Sequence, residues 1–131
     1  MKVKILVVDD SAVMRKMIIQ TIYKGTVFNE ENSEMVQAQD GVQGVEQFKE
    51  AQPHIVLSDW NMPTMDGMEM ISKIREIDQK VPIIMITSEG TKHAAALATS
   101  PGKATDYVVK PLTVGTLEEK LIKAFQSLVN S

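Results

Sequence analysis

The amino-acid sequence predicts an α/β domain with a doubly wound, five-stranded parallel sheet and helices on both faces. Short apolar runs alternate with amphipathic segments in five successive strand–helix units. The runs are nearly continuous and rich in β-branched residues, as is typical of strands buried on both faces. Because 131 residues fit one such domain, we expect a single domain over residues 1–131 with no output domain.

Composition excludes several classes of protein. Hydrophobic residues make up 44% of the chain and charged residues 24%, an ordinary globular balance. The lack of cysteine excludes disulfides and thiolate metal sites. A formal net charge of −3 offers no basic footprint for nucleic acid, and the apolar N-terminal run is too short for a signal peptide or membrane span. We therefore expect a cytoplasmic protein that binds neither nucleic acid nor membrane.

The strands are predicted in chain order from their apolar runs. Residues 3–8, 55–57, 83–86 and 107–109 are the strong ones. Residues 35–38 are more polar, as suits a strand at the edge of the sheet.

The helices are predicted from apolar residues that recur on one face. Ser11 is placed to cap the first helix, and Thr116-x-x-Glu119 offers a capping box for the fifth. Glu118 is expected to be solvated. The positions that share a face are Met14, Met17, Ile18 and Ile22 in the first helix, Val42, Val45 and Phe48 in the second, Ile71, Ile74 and Ile77 in the third, Ala94 to Ala98 in a short fourth, and Leu117, Leu121, Phe125 and Leu128 in the fifth.

Polar residues follow four of the predicted strands. Asp9 and Asp10 come after the first strand, Asp59 after the third, Thr87 after the fourth and Lys110 after the fifth. The carboxyl ends of parallel strands form the ligand-binding edge of an open α/β sheet. Taken singly, each residue has an ordinary explanation as a turn former, helix cap or solvated lysine. Together they predict a site with three carboxylates, one hydroxyl and one ammonium group.

The chemistry of these groups favours Mg²⁺ and phosphoryl transfer. Close carboxylates repel one another, and a hard divalent cation with oxygen ligands relieves that repulsion. An aspartate can accept a phosphoryl group, while an ammonium group and a hydroxyl can hold the phosphoryl oxygens.

Three segments resemble the signature blocks of response-regulator receiver domains. They are residues 7–11 (Val-Val-Asp-Asp-Ser), residues 59–67 (Asp-Trp-Asn-Met-Pro-Thr-Met-Asp-Gly) and residues 107–111 (Tyr-Val-Val-Lys-Pro). Trp60 and the Leu-Glu-Glu-Lys-Leu of residues 117–121 resemble the chemotaxis members in particular. The resemblance covers essentially the whole chain and implies the flavodoxin-like fold of that family.

The resemblance implies which residues bind the metal and accept phosphate. Asp59 would be the phosphoacceptor. Asp10 and Asp59 would contact Mg²⁺ directly, with Asp9 assisting partly through water. The backbone carbonyl of Asn61 would be a further ligand.

The resemblance also implies the parts of a switch. Lys110 would bond the phosphoryl group, with a cis peptide bond to the following proline. Thr87 would move toward that group and Tyr107 would turn inward behind it. Asn61 and Glu89 match the positions that tune dephosphorylation, and their types imply a short-lived phosphoryl state.

The implied partners act at the two ends of this switch. A histidine kinase of the CheA type would supply the phosphoryl group. The fourth helix, fifth strand and fifth helix would then be read by a flagellar motor switch protein, and a phosphatase is a further implied partner. The segment at residues 24–34 is longer than in the family, and one residue is inserted within 100–106 on the expected output face.

Three other functions stay open at this point. The chain could serve as a phosphorelay intermediate or phosphate sink without a motor partner. It could be a phosphohydrolase with an aspartate nucleophile, although such enzymes often carry Asp-x-Asp, whereas here the two aspartates are adjacent. A flavodoxin-like cofactor binder would need a phosphate loop after the first strand, where Asp9 and Asp10 would repel a phosphate.

Overall fold

The fold is taken from a computed structural model that describes residues 2–88 and 90–130. Strands and helices alternate along these residues, as the sequence predicts. The strands are β1 (Val3–Val8), β2 (Ser33–Ala38), β3 (Ile55–Asp59), β4 (Ile83–Thr87) and β5 (Asp106–Val109). The helices are α1 (Ala12–Lys24), α2 (Gly41–Ala51), α3 (Gly67–Ile77), α4 (Lys92–Ala98) and α5 (Val114–Val129).

The five strands form one parallel sheet in the order β2-β1-β3-β4-β5. The predicted fold class is therefore confirmed, including the edge position of the polar β2. Strand order reverses at β1, so the crevice beside the ends of β1 and β3 is the expected place for a ligand.

Alternate residues of the central strands face two separate cores. Ile5 and Val7 of β1 face α1 and α5, while Leu6 and Val8 face α2 and α3. Both cores are made of buried apolar side chains, most of them aliphatic, that anchor the strands in register. The strand ends are thereby fixed relative to one another.

Helix α5 begins earlier than the predicted capping box requires. Thr113 is the N-cap, and its side chain accepts the backbone N–H of Thr116 at 3.2 Å. Thr116 therefore lies inside the first turn, and its prediction as the cap is wrong. The apolar face predicted for α1 is also partly wrong, because Met17 is 52% exposed.

The loops after α1 and α4 are tied to neighbouring helices. Glu118 of α5 accepts the backbone N–H groups of Thr26 and Val27 at 2.7 and 3.3 Å, so the prediction that Glu118 is merely solvated is wrong. Arg75 of α3 donates to the carbonyl oxygen of Lys103 at 3.0 Å. The loop with the inserted residue is thus held against α3.

No helix among residues 2–88 and 90–130 is long and apolar enough to cross a membrane.

Candidate metal and phosphoacceptor site

The carboxyl ends of β1 and β3 bring three carboxylates together. Asp9 and Asp10 directly follow β1, and Asp59 is the last residue of β3, the neighbouring strand. One carboxylate oxygen from each residue lies within 4.8 Å of the other two. Asp9 is buried and Asp59 half-buried, whereas Asp10 is exposed. The cluster therefore reaches solvent on the side of Asp10.

The Asp9 carboxylate is the most deeply placed of the three. Its Oδ1 accepts the backbone N–H of Ser11 at 2.9 Å. Its Oδ2 is buried, and no donor within the described residues reaches that atom. Burial raises the pKa of Asp9 above its ordinary value; the Ser11 hydrogen bond opposes this, and the charge of Asp59 adds to it. This oxygen is therefore available to a cation.

Asp59 is held by one hydrogen bond and one ion pair. Its Oδ1 accepts the backbone N–H of Trp60 at 2.8 Å. The Lys110 ammonium nitrogen lies 3.6 Å from the same oxygen. With 13% of its side chain exposed, Asp59 stays accessible to an incoming group while its orientation is fixed.

Strands β4 and β5 bring a hydroxyl and an ammonium group to the same edge. Thr87 ends β4 and is 1% exposed, and Lys110 follows β5. The Lys110 backbone N–H donates to the Thr87 carbonyl oxygen at 2.8 Å. The Lys110–Pro111 peptide bond is cis, as the resemblance implied. All five residues that follow predicted strands therefore lie at one edge of the sheet.

Two of the remaining residues implied by the resemblance lie in β5 and in the loop after β3. Asn61 is exposed in the β3–α3 loop, two positions after Asp59. Tyr107 is half-buried in β5 and packs against the core on the α3 side. Glu89 lies outside the described residues.

A glycine lets α3 begin directly against the backbone of Asp59. The Gly67 N–H donates to the carbonyl oxygen of Trp60 at 2.7 Å. A Cβ at this position would lie 2.3 Å from the carbonyl oxygen of Asp59, far closer than a real contact allows. Asp66 caps α3 by accepting the Glu69 N–H at 2.9 Å. Gly67 is thus needed for close approach of two backbone segments.

We expect Gly67→Ala to destabilise the protein by about 1–3 kcal/mol, because the helix start must move away from the acceptor strand. Urea denaturation measures this loss. Gly115→Ala is the matched control, since a Cβ there meets nothing within 4 Å and alanine favours a helix. Equal stability of Gly67→Ala and the wild type would contradict the close contact.

The chain matches one known protein family along most of its length. The sequence profile of the response regulator receiver domain matches residues 5–122. The chain belongs to this family. Receiver domains are signalling switches rather than classical enzymes, and they bind Mg²⁺ at a cluster of aspartates. The cluster of Asp9, Asp10 and Asp59 is in keeping with that property of receiver domains.

Two similar proteins of the receiver family are chemotaxis proteins. CheY1 of Helicobacter pylori is 38% identical over 121 residues, which cover 90% of this chain and 93% of the relative. CheY-3 of Vibrio cholerae is 36% identical over 127 residues, covering 95% and 93%. The predicted CheY-like receiver is therefore confirmed.

Solved receiver structures share the fold. Vibrio cholerae CheY4 matches with a TM-score of 0.81 and 28% identity, covering 95% of this chain and 99% of that one. The CheY chain in a CheX–CheY–BeF₃–Mg²⁺ complex from Borrelia burgdorferi matches with a TM-score of 0.79 and 28% identity, covering 93% and 88%.

The residues of this receiver fit Mg²⁺ by the chemistry of their donors. Mg²⁺ is bound through a few carboxylates and keeps several waters. The cluster offers carboxylate oxygens only, one of them buried without a donor and one exposed. Lys110 is the ammonium group that pairs with Asp59 at the three-carboxylate cluster, so a divalent cation would relieve the mutual repulsion of the carboxylates.

Sequence analysis missed the groups that orient these carboxylates. The backbone N–H groups of Ser11 and Trp60 hold Asp9 and Asp59, and the Arg15 side chain donates to the Asp9 carbonyl oxygen. An aspartate at a strand end often accepts the N–H two residues on, so the Ser11 bond had a sequence signal. The Arg15 contact had none.

Proposed function

We propose that this receiver is a Mg²⁺-dependent switch in which Asp59 accepts a phosphoryl group from a histidine kinase. The observation that carries the proposal is the Lys110 ammonium 3.6 Å from Oδ1 of Asp59, which is one of three clustered carboxylates. Asp59 is also paired with the ammonium group of Lys110, the residue that follows β5. It is therefore the carboxylate best prepared to gain a charged group.

The transfer moves one phosphoryl group between two acceptors. An Asp59 carboxylate oxygen forms a bond to phosphorus while the nitrogen–phosphorus bond of a kinase phosphohistidine breaks. Lys110 and Thr87 hold the phosphoryl oxygens. Bound Mg²⁺ supplies neutralisation of the carboxylate and phosphoryl charges. Asp9, Asp10, Asp59 and the carbonyl of Asn61 would hold the metal.

Return to the resting state is a hydrolysis at the same atom. Water attacks phosphorus, the bond to Asp59 breaks, and inorganic phosphate leaves a free carboxylate. Asn61 and Glu89 are proposed to tune this step, because they match the sequence positions that tune dephosphorylation in the family.

The switch is a population shift driven by new contacts. A phosphoryl group on Asp59 bonds Thr87 and Lys110 better in one conformation than in another, and this difference sets the shift. Tyr107 turns inward when the population shifts, and this changes the face formed by α4, β5 and α5, where a partner binds.

Chemotaxis is the proposed setting. The CheY relatives support a kinase of the CheA type and a flagellar motor switch protein as partners. The Borrelia burgdorferi complex of CheY with CheX supports an auxiliary partner, which we propose to be a phosphatase.

The test is the intact mass after incubation with Mg²⁺ and acetyl phosphate. We expect one added phosphoryl group, lost with a chelator and lost in Asp59→Asn. Asp66→Asn is the matched control, because asparagine also caps a helix and Asp66 lies outside the cluster. Because the adduct can hydrolyse, Trp60 fluorescence with Mg²⁺ and beryllofluoride gives a second measurement. No adduct and no fluorescence change would refute the proposal, as would an adduct on Asp59→Asn.

A further inference from the structure

Arg15 of α1 connects the ends of β1 and β2 beside the carboxylate cluster. Its Nη1 donates to the carbonyl oxygen of Asp9 at 2.6 Å, and its Nε donates to Oε1 of Gln37 at 3.0 Å. The side chain is half-buried. A guanidinium group with two directed hydrogen bonds is fixed in place far better than a single ammonium would be.

The backbone at Asp9 needs such a partner because regular strand pairing stops there. The last register pair of β1 and β2 is Val8 with Ala38, and the Asp9 N–H still donates to the Ala38 carbonyl at 3.1 Å. The Asp9 carbonyl is instead bonded by Arg15. Without Arg15, that carbonyl would lose its charged donor.

The Asp9 carbonyl also sets the direction of Asp10. The carbonyl of Asp9 and the N–H of Asp10 belong to one planar peptide group, so a bond to the former restrains the latter. In an extended strand, successive side chains point to opposite faces. Here both carboxylates reach the same cluster with Asp59. The chain bends at Asp10, and the Arg15 side chain bonds the carbonyl of the peptide group just before the bend.

We propose that Arg15 is a positioning residue that orients Asp9 and Asp10 for the metal through the Asp9 carbonyl. The inference rests on the proposed function, because it concerns Mg²⁺ at the phosphoacceptor site. Mg²⁺ demands near-ideal octahedral geometry, so a tilted peptide weakens binding even when every carboxylate is present. Groups behind the direct ligands typically change metal affinity by about 10–100-fold.

A purely electrostatic role for Arg15 predicts the opposite sign. A positive charge near three carboxylates competes with Mg²⁺, so removing it would tighten metal binding. Arg15→Lys keeps the charge and loses the two-pronged geometry, while Arg15→Gln loses both. The pair of variants therefore separates geometry from charge.

The experiment measures the Mg²⁺ dissociation constant by Trp60 fluorescence, with urea denaturation in chelator as the stability measurement. We expect about a tenfold higher dissociation constant in both Arg15→Lys and Arg15→Gln. Lys16→Gln, which removes an exposed charge from the same helix, should bind Mg²⁺ as the wild type does. Gln37→Leu removes only the second hydrogen bond of Arg15 and should give a smaller rise.

Several outcomes would overturn the inference. An unchanged constant in Arg15→Lys, or tighter binding by Arg15→Gln, would leave Arg15 a structural or electrostatic residue. If the Arg15 variants do not fold, an unchanged constant in Gln37→Leu has the same force. Failure of the wild type to bind Mg²⁺ would overturn the proposed function as well. If the wild type is phosphorylated normally and these variants bind Mg²⁺ with the wild-type dissociation constant, only the role of Arg15 is overturned.

Discussion

Lys110→Met is expected to slow phosphorylation of Asp59 by about two orders of magnitude and to tighten Mg²⁺ binding at the same time. Removing one preorganised charge-stabilising donor costs about 10²–10³-fold in rate, and methionine keeps the bulk without the ammonium. The ammonium nitrogen is 3.6 Å from Asp59 Oδ1, on side chains that are 24% and 13% exposed. The contact is therefore only partly screened by solvent.

The rise in Mg²⁺ affinity has the same origin. Lys110 neutralises Asp59 in the metal-free protein, so a cation must displace part of that interaction before it gains the carboxylate. We expect the Mg²⁺ dissociation constant of Lys110→Met to fall by about threefold to tenfold, since about 1 kcal/mol of competing interaction corresponds to fivefold. Fluorescence titration gives the affinity, and the mass of the adduct over time gives the rate.

Lys120→Met is the matched control for this prediction. Lys120 pairs with Asp106 at 3.0 Å, and its side chain is 25% exposed, close to the 24% of Lys110. It lies in α5, outside the carboxylate cluster. A wild-type rate in Lys120→Met assigns the effect to the contact with Asp59. Weaker Mg²⁺ binding by Lys110→Met would contradict the competition between the two cations.

The sheet could be predicted from the sequence because its buried strands are apolar runs. Runs such as residues 5–8 and 83–86 are apolar at consecutive positions, which is typical of strands covered on both faces. Parallel topology then placed the residues after each strand at one edge. Asp59 and Lys110 could thus be brought together although β3 and β5 are not adjacent in the sheet.

Side-chain contacts between elements that are distant in the sequence could not be predicted. In the sequence, Glu118 resembles any solvated acidic residue near the start of a helix, yet it accepts the Thr26 N–H from a loop 92 positions away. The distance from Arg15 to Gln37 likewise depends on how α1 lies on β2. The predicted start of α5 was wrong for a simpler reason. Thr113 and Thr116 are both good N-cap residues, and packing decides between them.

Asp9→Asn is expected to stabilise the metal-free protein at pH 7 while weakening Mg²⁺ binding by at least about tenfold. Asp9 is 2% exposed, and its Oδ2 has no donor within the described residues, so its charge is costly without a cation. Removing that charge should raise the free energy of unfolding in chelator by about 1–3 kcal/mol. Losing the Asp9 carboxylate, which binds the metal directly or through water, should lower the Mg²⁺ affinity at least as much as losing a group that only orients a ligand.

The pH dependence of this effect follows from the sign of the pKa shift. Burial raises the pKa of Asp9 in the folded state above its ordinary value of 3.8, so the folded chain holds this proton at pH values where the unfolded chain has lost it. The contribution of Asp9 to stability in chelator therefore declines as the pH rises from that value through the raised pKa. Excess Mg²⁺ should remove the decline, because the cation binds the ionised form.

Urea denaturation of wild type and Asp9→Asn between pH 4 and 8 tests this linkage, with Asp40→Asn as control because asparagine also caps α2. In chelator, the stability advantage of Asp9→Asn should grow with pH; with saturating Mg²⁺ it should reverse. An advantage that is constant with pH would mean that burial of the Asp9 charge is not its cause. The same buried carboxylate that weakens the resting fold is then what makes the folded state bind a divalent cation, so metal affinity and stability trade against each other at one side chain.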